Sequence, residues 1–205
     1  MRTGAKRLPG LVLGYHGCDA SVGEKVLCGE DMHLKLSTNK YDWLGDGVYF
    51  WENDPVRAME FAQASLNEPH ITKGKIKTPF VLGAVIDLGF CLNLMDRAAL
   101  EEVANVYKLL KQSYKNVNEP LPKNGKLLRT RSLDKAVIDS LHTVRDSFNT
   151  KAETRGLFPP YETVRSAFPE GPRLYPGAGF RAKNHIQIAV KDVGAIKGYF
   201  RPIPE

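Results

Sequence analysis

Cysteine is scarce in this chain of 205 residues: Cys18, Cys28 and Cys91 are odd in number, form no Cys-x-x-Cys pair and sit in no cluster with histidine. That pattern excludes a disulfide framework and gives no structural zinc site, so three reduced, mostly buried thiols are expected and no metal. Long apolar runs are missing too. Arg2, Lys6 and Arg7 precede only Leu11-Val12-Leu13, too short for the apolar core of a signal peptide. No stretch approaches the roughly 20 residues a membrane helix needs. A cytoplasmic location is the expectation, although a chain delivered by a dedicated export machine would read the same. Acids are nearly absent from one segment: between Tyr107 and Arg131, the cations Lys108, Lys111, Lys115, Lys123, Lys126, Arg129 and Arg131 face Glu119 alone.

What is present describes an ordinary globular chain. A 42% apolar fraction with 25% charged residues supplies one substantial core, which favours a single domain over residues 1–205 with disorder only at the ends. The net charge of +6 is concentrated in the basic segment. Clustered cations gain by displacing counterions from a polyanion such as RNA or DNA, and they serve equally as a solvated helix face. Both readings stay open.

Leu11 to Leu13, bracketed by glycines, predicts a buried strand that delivers Tyr15 and His16 to its end. Asp19 or Ser21 caps a short helix that stops before Gly29. Asp31 to Leu36 reads as extended, with His33 structural, and 40–47 as a loop. Val48-Tyr49-Phe50-Trp51 is a dense strand signal. Asn53-Asp54-Pro55 starts a helix carrying Ala58, Phe61, Ala62 and Leu66 on one face. A basic turn with His70 follows. Phe80 to Leu88 is the most apolar run and predicts a central strand covered on both faces, with an edge or turn over Gly89 to Asn93. Leu100, Val103, Tyr107, Leu110, Tyr114 and Val117 alternate spacings of three and four, an amphipathic helix over 97–117. A second, from Ser132 as cap to about Phe148, carries Leu133, Val137, Leu141, Val144 and Phe148. The two form a helical hairpin inserted between strands over 97–150. Gly156 to Gly179 reads as a long ordered loop whose Tyr161 and Tyr175 either line a groove or pack over the sheet. Strands over 184–190 and 196–200 close an α+β chain with a mainly antiparallel sheet.

The motifs narrow this further. Tyr15-His16-Gly17, a short helix, Ser37-Thr38, Tyr41-Asp42-Trp43, Gly45-x-Gly47-Val48-Tyr49-Phe50 and a helix bearing Ala58 and Phe61 occur in that order. Together they resemble the ADP-ribosyltransferase superfamily, in the branch shared by diphtheria-type toxins and poly(ADP-ribose) polymerases, whose triad is His, Tyr and Glu. The likeness covers Leu13 to about Leu66 closely and Asn184 to Phe200 loosely; the middle does not align. It implies a split, mainly antiparallel β-sheet core that binds NAD as co-substrate. His16 would contact the nicotinamide ribose. The Gly17 main chain would hold the nicotinamide carboxamide, Tyr49 and Phe61 would stack on its ring, Tyr15 would flank them, and Ser37 or Thr38 would support the site.

The third triad position departs from the pattern. Where the resemblance expects a glutamate at the start of the late strand, this chain reads His185-Ile186-Gln187-Ile188, and counting back from the closing strand puts Gln187 in its place. Strand alternation sets His185 on the same face. Glutamine keeps an acceptor for a ribose hydroxyl yet is no base. The resemblance therefore implies a pentosyltransferase that moves one ADP-ribose to a macromolecule, with His185 taking the proton or with an acceptor that needs little activation, or else an NAD site without turnover. Such a small unit would suit a toxin or defence effector with an antidote partner. An NAD-dependent RNA 2′-phosphotransferase is the alternative within the fold, and a nonenzymatic nucleic-acid-binding module the alternative outside it. Read without their context, His16 is a loop histidine satisfied by backbone, and His185 and Gln187 are polar residues on a half-exposed strand.

Overall fold

A two-residue strand, Lys6–Arg7 (β1), precedes Leu11–Asp19 (β2) in a computed structural model that describes residues 6–8, 10–69, 72, 75–125 and 130–203. Arg2, His70, Lys126 and Arg129 lie outside the described residues. Tyr15 and His16 sit in the middle of β2 rather than at its end, because the strand pairs with its neighbour without interruption through Cys18 and Asp19. Asp19 then turns the chain into Ala20–Leu27 (α1): its carboxylate accepts the Ser21 N–H at 3.0 Å. Its second oxygen takes the Lys77 and Thr78 N–H groups at 2.7 and 2.8 Å. Gly29, with φ +81°, lies just past the end of that helix.

Residues 31–33 form bends and 34–36 run on without a ladder; Ser37 bridges Gly47. Val48–Glu52 (β3) leads into Pro55–Asn67 (α2), where the Asp54 carboxylate accepts the Arg57 N–H at 2.8 Å and proline occupies the first turn. Pro79–Asp87 (β4) and Phe90–Asn93 (β5) follow, then Arg97–Asn116 (α3) and Ser132–Thr150 (α4). The α4 cap comes from Asn124, not Ser132: its Oδ1 accepts the Leu133 and Asp134 N–H groups at 3.0 and 3.2 Å. Thr163–Phe168 (β6), His185–Val190 (β7) and Ile196–Phe200 (β8) complete the chain.

Among the described residues, eight strands join one mixed sheet in the order β1-β5-β6-β7-β3-β2-β4-β8. The β5–β6 pair is parallel, and α3 and α4 supply the crossover that parallel neighbours require. Three strand expectations change. The apolar run of β4 lies one strand from the edge, between β2 and β8; it is apolar because both of its faces are covered. The stretch from Gly156 to Gly179 is not one loop, since β6 runs through it and pairs with both β5 and β7. The 90–93 stretch is likewise an inner strand.

Alternation divides the core. On one face Cys18, Val48, Phe50, Leu82, Ala84, Ile86, Ile188 and Val190 pack against Val26 and Leu27 of α1, with Leu34 and Ala195. On the other, Tyr15, Trp51 and Val81 lie under Ala58, Met59 and Phe61 of α2. Further along that second face, Tyr49, Val164 and Ala189 lie under the α3–α4 hairpin with Trp43 and Leu44. Val103, Tyr107 and Leu110 of the expected α3 stripe pack into this cluster with Ala99 and Val106, whereas Leu100 and Val117 stand at 50% and 67% exposure. Arg145 and His142 of α4 are buried as well.

Candidate functional site

The ladder between β2 and β3 is short. It consists of Gly14↔Glu52 and Tyr15↔Trp51, whereas β2 pairs with β4 from Leu11 to Asp19 and β3 pairs with β7 from Val48 to Trp51. Leu13 accepts the Asn53 N–H through its carbonyl at 2.9 Å, and Ala20 donates to Thr78 on the opposite side at 2.8 Å. Main-chain groups therefore alternate along β2. The Gly17 N–H and C=O fall on the β3 side, beyond the last ladder pair.

His16 spans this opening. Its Nδ1–H donates to the Tyr49 carbonyl at 2.7 Å, and its ring lies 5.8 Å from that of Phe50. A carbonyl can only accept, so Nε2 is the acceptor of the neutral ring, and burial holds the imidazole below its ordinary pKa. Gly17 is small for a local reason. A Cβ there would stand 2.3 Å from the Ala58 carbonyl oxygen and 3.3 Å from the Phe61 ring, so the α2 main chain is what glycine admits.

Tyr49 and His16 are joined through the main chain, but their side chains lie on opposite faces. The Tyr49 hydroxyl donates to the Gly45 carbonyl at 2.8 Å and accepts the Leu44 N–H at 3.0 Å, which fixes the turn where Gly45 has φ +84°. Burial drives this phenol well above its ordinary pKa. The ring that faces Phe61 is Trp51, at 5.2 Å. Trp51 was legible only as a strand residue, although the period of two puts it on the Tyr49 face and one step nearer α2. Tyr15 meets Phe200 edge-on at 6.0 Å. Ser37 props the preceding loop by taking the Asn39 amide at 2.6 Å, and Thr38 is exposed; neither reaches the opening.

Gln187 and His185 do share a face. Gln187 stands between Trp51 on β3 and Ser166 on β6, and its Oε1 accepts the Trp43 indole N–H at 2.7 Å. The His185 side chain is fully buried beside Phe168 at 5.3 Å and Trp51 at 6.1 Å. Its Nδ1–H donates to the Lys183 carbonyl at 2.8 Å, leaving Nε2 as a lone-pair acceptor. Burial lowers its pKa, so it is a neutral base at pH 7. Among the described residues neither His185 Nε2 nor Trp51 Nε1 has a hydrogen-bond partner. Glu170, 3.8 Å from His185, is engaged by Arg57 through two bonds of 2.7 Å.

The basic segment divides. Lys108, Lys111, Lys115 and Lys123 are exposed. Arg131 is not part of that surface: it stacks 3.8 Å over the Trp43 ring and pairs with Asp134. Tyr161 lines no groove. It is buried against Arg145, which also grips Glu102 at 2.7 and 2.8 Å, while Tyr175 is 57% exposed. A cavity of about 530 Å³ between α2 and the segment after β8 is lined by Met59, Gln63, Val81, Arg201 and Ile203 and touches none of the expected site residues. No helix among the described residues is long and apolar enough to cross a membrane. Comparison of the chain with family models, with curated proteins and with solved structures found no match.

Proposed function

We propose that the protein is an NAD-dependent mono-ADP-ribosyltransferase with the split sheet of that superfamily. The observation that carries this reading is the β2–β3 opening: the ladder ends at Tyr15↔Trp51, Gly17 turns its main chain toward the gap, and β7 brings Gln187 and His185 up on the other side of β3. A strand residue with one N–H and one C=O matches a primary carboxamide, which has one acceptor and two donor hydrogens. Phe61 and Trp51 supply aromatic surface beside it for a flat ring. His16 then acts by fixing the Tyr49 carbonyl at the mouth of the gap, in place of the ribose contact that the resemblance implied.

In the reaction the bond from nicotinamide nitrogen to ribose carbon breaks and nicotinamide leaves neutral with the bonding pair. The acceptor oxygen or nitrogen bonds to that carbon, and its proton passes to His185 Nε2. Gln187 cannot take it. Exposed Lys108, Lys111, Lys115 and Lys123 favour nucleic acid as the acceptor. The test is release of nicotinamide from NAD by the full chain with cell lysate or RNA added. Wild type releases it, and His185→Gln lowers the rate by about 10²-fold, the scale of a missing general base. Equal rates for the two proteins reject the role of His185. Release of 2′-phosphate from RNA without transfer would favour the phosphotransferase instead.

A further inference from the structure

Trp43 decides which way Gln187 faces. An indole N–H donates and never accepts, so the 2.7 Å contact identifies the atom of residue 187 that meets it as the carbonyl oxygen. The indole is itself held: it is 7% exposed, with the Arg131 guanidinium 3.8 Å from its ring and the Phe168 ring at 5.2 Å. The amide –NH2 is the end left for a ligand. Glu170 is engaged by Arg57 and Asp134 by Arg131, and the buried Asp42, next to Trp43 in sequence, accepts the Asn39 N–H.

We propose that Trp43 is a positioning residue that turns the Gln187 amide donor into the site, so that the site takes the ligand's ribose as an acceptor and prefers ADP-ribose, whose terminal ribose is uncharged, to NAD with its cationic ring. This rests on the function proposed above. ADP-ribose offers an anomeric hydroxyl oxygen to the donor, whereas the nicotinamide of NAD places a positive ring near a hydrogen-bond donor where a carboxylate at 187 would attract it. A glutamate at 187 would keep the Trp43 bond through one oxygen and present the other as a charged acceptor.

Two measurements separate this inference from the function beneath it. In the 15N-labelled full chain, Gln187→Ala moves the Trp43 indole N–H resonance and speeds its solvent exchange by about ten-fold, while the rest of the spectrum keeps the fold. An unmoved, equally protected indole overturns the positioning role. By calorimetry, wild type binds ADP-ribose about ten-fold more tightly than NAD, and Gln187→Glu reverses the order. Tighter binding of NAD by wild type overturns the preference. Binding of neither ligand rejects the preference together with the proposed function, and the exchange measurement still decides what Trp43 does.

Discussion

Gly17 is the residue on which the proposed site turns. A methyl group there meets the Ala58 carbonyl oxygen at 2.3 Å, a main-chain atom that moves only if α2 moves. Gly17→Ala is expected to cost about 1–3 kcal/mol of overpacking and to push α2, with Phe61, off the opening. Urea unfolding reads the first effect and NAD binding the second. A variant with unchanged stability and affinity would show that α2 does not rest on Gly17. The resemblance assigned Gly17 to a nicotinamide carboxamide, whereas the group packed against it is the α2 backbone, which no local pattern displays. The pairing of His16 with Tyr49 was also legible in part. The resemblance implied one site for both, yet the period of two sends their side chains to opposite faces, and the Tyr49 carbonyl joins them.

At the scale of elements, α3, α4 and the segment before β6 are tied by a buried network. Arg145, 2% exposed, bonds Glu102, the Pro159 carbonyl at 2.9 Å and the Tyr161 hydroxyl at 2.8 Å, and stacks on the Tyr161 ring at 3.9 Å. Removing one partner strands the other charge in the interior, so Arg145→Ala is expected to destabilise the chain by about 3–5 kcal/mol. Denaturant melts check this, and a loss below about 1 kcal/mol, the scale of an exposed pair, would mean that the network is wet. The helices were readable because periodicity and Asp caps act over a few residues. Strand β6 was not. Its Thr-Val-Arg-Ser-Ala-Phe run lies between proline and glycine clusters, and its pairing with β5 and β7 is set by partners 72 and 17 to 27 residues away in sequence. The α3 stripe was legible at Val103, Tyr107 and Leu110 and was missed at its start, where small Ala99 is buried and larger Leu100 is not.

For the whole molecule, buried neutral histidines set the response to acid. Burial holds His16 and His185 below their ordinary value and pushes His142 down to about 3. Each group binds fewer protons folded than unfolded. Stability is therefore full above about pH 6.5 and falls as pH drops toward the folded values, by up to about 1.4 kcal/mol per pH unit for each histidine. The urea midpoint is expected to be lower at pH 5 than at pH 7.5, and His142→Leu to flatten the slope. Equal midpoints would contradict the burial of these rings. The charge distribution acts at the same scale. Reversing Lys108, Lys111 and Lys115 to Glu is expected to weaken RNA binding and to reduce the dependence of log K on log salt by about 0.7 to 0.9 for each phosphate no longer neutralised. An unchanged salt slope would leave α3 as a solvated face.

The most direct test of the account follows the Gly17 amide in the 15N-labelled full chain as nicotinamide is added. A carboxamide held in the β2–β3 opening shifts the Gly17 N–H together with the Trp51 indole and the backbone around Phe61. Shifts confined to Met59, Gln63, Val81 and Ile203 would place the ligand in the cavity beyond α2 and contradict the proposed site.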